Sequence, residues 1–419
     1  MSASSGRILL KWLEISDLFM VSAKTNHKNA TNDLYLARVG DYLSVMLKDI
    51  RVIELASVLA GPSAGQFFAE LGAEVIKIEN PATGGDVTRS WKSAGEQTDD
   101  RSAYFSCCNW GKKSVLLDLH LSDDRDKLYR LVATSDIVIA SYKPGDAEKL
   151  GVDHDTLSVL NPKIIYGQVT GYSGGDDRVG YDAVIQAESG FMDLNGEAGG
   201  EPVKMPVALV DVLAAHQLKE GLLLALLNRA KTGKGDIVSV SLYDAAVASL
   251  ANQATNWLVG KTLPVRQGSA HPNIAPYGDT FITADGKRIL LAVGTDRQFS
   301  DLCAVLGLHE LPSQQTFHRN AARVTARVQL NAVLGEQIAR HRSAELIRSF
   351  REKKIPAGLI RDLREVFTDA EEAAFILRSG AFTGVRNFVA SLHNAEGGEP
   401  LSPPPHLGQH TAEVFSMLG

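Results

Sequence analysis

Gly180-Tyr181-Asp182-Ala183-Val184-Ile185-Gln186-Ala187, then Ser189-Gly190-Phe191-Met192 and Asn195-Gly196, then Pro206-Val207-Ala208-Leu209-Val210-Asp211 form the most informative segment of the chain. Its last six residues are a short apolar run ending on one carboxylate. A helical pattern begins at once, with Val212, Ala215, Leu218, Leu222, Ala225 and Leu226 at three-four spacing. It stops at Lys231-Thr232-Gly233-Lys234-Gly235, a glycine helix ending. An Asp at such a junction has two readings. It can be an N-cap, accepting hydrogen bonds from the first free N–H groups of the helix. It can also be a nucleophile that carries an activated acyl group as a mixed anhydride. The two are compatible, because a helix N-terminus favours the ionised, nucleophilic form.

Upstream lies an alternation of strands and helices. Arg51–Leu55 is a strand pattern, followed by Ala60-Gly61-Pro62, a helical segment through Phe68 and Leu71, and a second strand at Gly72–Glu79. That is a βαβ unit. The Gly61 turn at a helix start resembles a phosphate-cradling turn, but no G-x-G-x-x-G fingerprint is present, which argues against dinucleotide binding. Asn109–Asp118 turns into a strand, and its Lys112-Lys113 pair suits either a phosphate or a solvated strand entrance. Asp136–Ala140 is a buried strand with Ser141-Tyr142-Lys143-Pro144-Gly145 at its C-terminal end, where open parallel sheets bind ligands. Ile164–Tyr172 and Ile237–Leu242 add two more strands. Beyond Tyr277 a Gly-turn hairpin and helices predict a smaller α+β region, closed by Pro403-Pro404-Pro405 and a last helix.

Composition sets the limits. At 419 residues the chain is two domains or one large one. A net charge of −6 argues against a nucleic-acid surface, and no apolar run reaches membrane-span length. Cys107, Cys108 and Cys303 lack metal-ligand spacing and read as reduced thiols, so a cytoplasmic location is expected and no metal. Residues 1–45 lack a secretory signal pattern. They are expected to be a poorly ordered extension before Met46; if they are a leader, the mitochondrial matrix is the destination.

Taken together, the Gly-Tyr-Asp-Ala-Val-x-x-Ala start, the Ser-Gly-Phe-Met step, the Asp after Pro-Val-Ala-Leu-Val and the Gly85-Asp86-Val87-Thr88-Arg89 segment resemble the family III CoA-transferases, most of all their dicarboxylate-specific branch. The resemblance runs from about Lys48 to the C-terminus. It implies an α/β fold: a Rossmann-like large domain with a parallel sheet (46–255 and 376–419), a linker and small α+β domain (256–375), and an interlocked-ring homodimer. It implies coenzyme A and acyl-CoA as substrates, with no tightly bound cofactor and no membrane partner. Asp211 matches the acyl-carrying nucleophile. Val58, Leu59 and Ala60 match the turn that contacts the CoA chain. Tyr142 and Pro144 match the adenine-holding segment, Lys149 a basic residue near the phosphates, and Tyr181 a group that positions CoA or acyl oxygen. Arg89 reads as a carboxylate or phosphate clamp or as a solvated loop arginine, and Lys113 as a phosphate partner or a solvated lysine. Gly268 and His271 match the substrate loop; a donor role near the oxyanion is expected there. Arg89, Arg178, Arg266 and His271 are candidate partners for a remote substrate carboxylate.

The chain departs from the pattern in two places. Asn80 stands where a basic residue is common, and Gly268 stands where a related branch has a glycine run. Two rivals share the resemblance. A racemase of the same fold has a His where Tyr181 stands, and an unperturbed tyrosine, with a pKa of about 10, is a poor proton shuttle. A non-catalytic acyl-CoA-binding protein would tolerate loss of Asp211.

Overall fold

The computed structural model describes residues 46–370, 373–390 and 400–416. The expectation for residues 1–45 lies outside them. Six parallel strands make the main sheet: β1 (Arg51–Leu55), β2 (Glu74–Glu79), β3 (Lys112–Leu116), β4 (Ile137–Ala140), β5 (Ile165–Thr170) and β6 (Asp236–Ser241). Their order is 3-2-1-4-5-6, so the sheet reverses direction of growth between β1 and β4. There the connections leave on opposite faces and a crevice opens. Ser57, just past β1, donates its N–H to Ser141 Oγ, just past β4, at 3.2 Å.

Strand β4 is a continuous apolar run and β1 is apolar except at Arg51 and Glu54, as suits strands that helices cover on both faces. One face packs Val52, Ile139 and Ile165 against Val210, Ala214, Leu218 and Leu222 of the Leu209–Thr232 helix and Phe67 of the Ala60–Glu70 helix. The other packs Ile53, Ile76 and Val138 against Leu128, Leu131 and Leu157. The long helix ends at Gly233, whose left-handed φ of 73° lets its N–H reach back to the Arg229 carbonyl. Gly61 also has a packing use. A Cβ there would lie 2.4 Å from the Ala56 Cβ, so its missing side chain seats the helix against the end of β1. The left-handed residue of that turn is Val58.

A second core, drawn from residues 275–355, surrounds an antiparallel sheet of β7 (Tyr277–Ile282), β8 (Arg288–Ala292) and β9 (Ala357–Leu359). A separate hairpin, β10 (Ile376–Ser379) with β11 (Phe382–Val385), brings Gly384 against the Trp110 indole. The C-terminal segment then runs along β3, the sheet's edge strand. Gly111 N donates to the Ser402 carbonyl, Ser114 N to His410 Nδ1 and Leu116 N to Thr411 Oγ1. An edge that would otherwise be open is thereby covered. No helix among the described residues is long and apolar enough to cross a membrane.

Candidate active site

Asp211 sits in the first turn of the Leu209–Thr232 helix, with Ala208 at the N-cap and no side-chain cap bond. The N-cap reading is therefore corrected. The free N–H of Val210 is taken instead by Asp182, whose Oδ2 accepts it at 2.8 Å from the neighbouring Asp182–Glu188 helix. Asp182 Oδ1 also accepts from Gln186 (2.7 Å), and Gln186 in turn accepts the Met205 N–H (2.8 Å), which anchors the Gly-rich loop before the helix.

With capping delegated, the Asp211 carboxylate has no hydrogen-bond partner among the described residues. It is only 8% exposed. Burial, and secondly the charge of Asp182, push its pKa up to about 7. The expectation that the helix N-terminus would favour ionisation is corrected on the same ground: desolvation and a like charge outweigh the dipole.

This shift fixes two pH dependences. The attacking form is the carboxylate, so kcat/KM is expected to rise with pH through about 7. Stability moves the other way. Between the ordinary value of 3.8 and about 7 the folded state keeps a proton that the unfolded chain has released, so stability falls as pH rises across that window. Thermal melts of Asp211→Asn should therefore exceed wild type above pH 7, by on the order of 2–4 kcal/mol, and converge with it in acid. A wild-type melting curve flat across that window contradicts the assignment.

One residue that motif reading missed lies near this carboxylate. The Tyr104 phenol is pushed up to about 12 by burial, then by the charges of Asp211 and Cys107; it is a neutral hydroxyl with no hydrogen-bond partner among the described residues. Trp91 lies edge-on to it, ring centroids 5.1 Å apart. No periodicity or spacing links Tyr104 to Asp211, because tertiary packing alone brings them together.

The β1 turn forms a second part of the site. Val58 has φ +73°, an outlier for a β-branched residue. Its N–H points to Asp86 Oδ1 at 3.4 Å, and the Cys108 thiol donates to its carbonyl at 3.5 Å. The N–H groups of Leu59, Ala60 and Gly61 have no acceptor among the described residues, and Pro62 has no N–H to donate. A set of free donors thus lies at the switch-point crevice.

Beneath the turn is a fully buried charge cluster. Glu54 sits between Lys77 (2.8 Å) and Lys112 (2.7 Å). Lys77 also lies 2.9 Å from Asp86 and donates to the Ala56 carbonyl at 2.7 Å. Lys112 donates to the Pro62 carbonyl at 2.8 Å. Arg89 belongs to this interior. Its guanidinium is buried, forked onto Glu79 (2.7 and 2.6 Å), bonded to the Pro405 carbonyl and stacked 3.8 Å over Phe105. It is neither a solvated arginine nor a ligand clamp but a brace between β2 and the C-terminal segment. Lys113 is corrected too: it pairs with Glu74 and Glu413 at 2.9 Å each, at the N-terminal end of β3 and away from the crevice. Its neighbour Lys112 is the one held inside. The signal for this cluster was present in the charged residues interrupting apolar strands, Glu54 in β1 and Lys77 in β2.

Tyr142 and Pro144 do line a cavity, of about 500 Å³, with Tyr166, Gln168, Ser239 and Asp244. Lys149 is not on its wall; it is exposed and paired with Asp146 at 2.7 Å. Gly268 borders a second cavity of about 610 Å³ with Leu194, Asn256, Gln267 and Asn273. Its N–H is already spent on the Gly196 carbonyl (3.0 Å), so the expected oxyanion donor is not free. His271 is tied into its loop: Nδ1 accepts the Asn273 N–H, and the ring lies edge-on to Tyr277. Asp211 lines neither cavity. Tyr181 is 61% exposed beside Asp182, with no side-chain hydrogen bond among the described residues. Arg178 pairs with Asp176 and Glu188, and Arg266 with Asp193. Together with Arg89, three of the four candidate partners for a remote carboxylate already hold a carboxylate of their own.

Known proteins agree with this architecture. Residues 47–411 match the description CoA-transferase family III. The chain is 37% identical over 386 residues to a succinate–glutarate CoA-transferase of Agrobacterium fabrum, covering 89% of this chain and 95% of that one. It is 31% identical to the human succinyl-CoA:glutarate CoA-transferase, covering 89% and 86%. A CAIB/BAIF family protein from Brucella suis superposes with a TM-score of 0.80 at 37% identity, over 88% of this chain and 98% of that one. With a doubly wound sheet, a buried lone carboxylate and this similarity in hand, the chain belongs to the family III CoA-transferases. It is a transferase acting on acyl-CoA.

Proposed function

We propose that the protein moves CoA from succinyl-CoA to a second dicarboxylate through covalent intermediates on Asp211. The observation that carries this reading is a buried carboxylate, unpartnered and therefore nucleophilic once ionised, in a water-poor position. Asp211 attacks the thioester carbonyl and CoA thiolate leaves, giving an aspartyl–acyl anhydride. The retained thiolate attacks the aspartyl carbonyl, which releases the first acid and leaves an aspartyl–CoA thioester. The incoming carboxylate attacks that thioester, and thiolate attack on the new acyl group completes the exchange. Every thioester broken is remade, so no hydrolytic step is needed.

In this reading the free N–H groups of Leu59 and Ala60, in the turn that begins at Val58, receive the CoA chain, and Tyr142 with Pro144 receives its adenine end. Residues 46–255 and 376–419 act as the large domain and 256–375 as the linker and small domain. A second copy completes the enzyme as an interlocked ring. Support for that pairing comes from apolar side chains left open on one chain, among them Leu224 and Leu227 of the long helix and Leu258, Val259 and Leu263 beyond it, each more than 60% exposed. Such a surface marks an interaction site.

Relatives whose names specify glutarate, mesaconate and citramalate support the dicarboxylate class. The test is a panel of acids assayed with succinyl-CoA: glutarate, hydroxymethylglutarate, malate, itaconate, mesaconate and citramalate. Glutarate is expected to give at least about tenfold higher kcat/KM than a monocarboxylate of equal length. Equal rates with the monocarboxylate sink the dicarboxylate assignment.

A further inference from the structure

The Val58 turn is strained, and the structure shows what holds it. A β-branched residue at φ +73° persists only where its surroundings over-determine it. Its N–H faces Asp86 Oδ1. That oxygen also accepts from the Thr88 N–H (3.0 Å) and Thr88 Oγ1 (2.8 Å). The second oxygen, Oδ2, is buried and has no hydrogen bond of normal geometry, yet lies 2.9 Å from Lys77 Nζ. Lys77 holds the other end of the turn through the Ala56 carbonyl. The buried ammonium and carboxylate therefore hold residues 56 and 58, while the N–H groups of Leu59 and Ala60 next to them have no acceptor among the described residues. We propose that Asp86 is a positioning residue for acyl-CoA: by its pairing with Lys77 it fixes the Val58 backbone and so aims the turn's free N–H groups at the CoA chain.

This rests on the reading of the turn as the CoA contact. The bland alternative is that Asp86 only caps the short Val87–Ser90 turn, which it also does. Asp86→Asn separates the two, since asparagine caps as well as aspartate but loses the charge that Lys77 holds. The experiment uses the full chain, with free CoA as the calorimetric probe and succinyl-CoA in turnover. Asp86→Asn is expected to weaken CoA binding and raise KM by about tenfold or more, with kcat changed by less than about threefold. Glycine needs no strain at positive φ, so Asp86→Asn with Val58→Gly should return to within about threefold of Val58→Gly alone. Losses that simply multiply overturn the proposal, as does an Asp86→Asn enzyme with lowered melting temperature but unchanged KM.

If Asp86→Asn does not fold, the wild type still decides. Its Val58 amide should exchange with solvent at least roughly a hundredfold slower than in an unstructured chain, and exchange at loop rates overturns the hold. A failure of the functional reading looks different: the wild type itself then binds no CoA.

Discussion

Asp211→Ala is expected to lower CoA transfer by about a thousandfold or more, with CoA affinity kept within a few-fold. The reason lies in what the site lacks. Among the described residues Asp211 is a buried carboxylate at the helix start with no hydrogen-bond or ion-pair partner, whereas its neighbour Asp182 is spent on Val210 and Gln186. Asp182 already has a structural load, so it cannot take over the attack without unravelling the helix entrance. Removing Asp211 also removes a desolvated charge, so the variant should fold at least as well as the wild type. Steady-state exchange between succinyl-CoA and glutarate, run beside a CoA-binding isotherm, reads both effects. Turnover near the wild-type rate shows that the acyl group travels by another route, and leaves a non-covalent or binding role for Asp211.

Glu54→Gln is expected to cost about 3–5 kcal/mol, enough to bring many domains close to unfolding. Glu54 is fully buried between two ammonium groups, Lys77 and Lys112. Those lysines are affected in opposite directions by their surroundings. For both the largest effect is burial, which favours the neutral amine. At Lys77 three carboxylates, Glu54, Asp86 and Glu79, overcome it and raise the pKa; at Lys112, with Glu54 as its carboxylate and Lys77 repelling it, the pKa is lowered. Taking away Glu54 leaves Lys112 with no carboxylate and weakens the hold on Lys77. A urea titration should show the midpoint falling sharply with the slope unchanged. Adding Lys112→Met to Glu54→Gln should return part of the loss, because an apolar side chain no longer needs the missing charge. A loss under about 1 kcal/mol for Glu54→Gln contradicts the account of the cluster.

The strand–helix alternation was legible because each strand carries its own apolar run and each helix its own period. The start and stop of the long helix were readable to the residue class: a carboxylate near its first turn and Gly233 at its end. The cap itself was not, because Asp182 reaches Val210 from a different helix, and nothing in local spacing reports that. Arg89 shows the same limit. Its sequence neighbourhood looks like an open loop, but Glu79 and Phe105 enclose it from other segments. Lys113 and Lys112 are adjacent and alike in sequence, and strand alternation decided which faced inward; the notional phosphate partner was the outward one. Tyr142 and Pro144 lie on a cavity wall where a rule of sheet topology expects a crevice, and that rule depends on the strand's end rather than on side-chain detail. Lys149, one helical turn further on, does not follow it to the cavity wall. Tyr104 left no signal at all, since its relation to Asp211 exists only in three dimensions.

In the proposed cycle Asp211 carries first the acyl group as a mixed anhydride and then CoA as a thioester. Mass spectrometry of the enzyme quenched during turnover with succinyl-CoA, after hydroxylamine capture, tests it most directly. A hydroxamate is expected on the peptide that contains Val210 and Asp211, and none on the same peptide when CoA substrate is withheld. An unmodified peptide in a sample that is still forming product contradicts it.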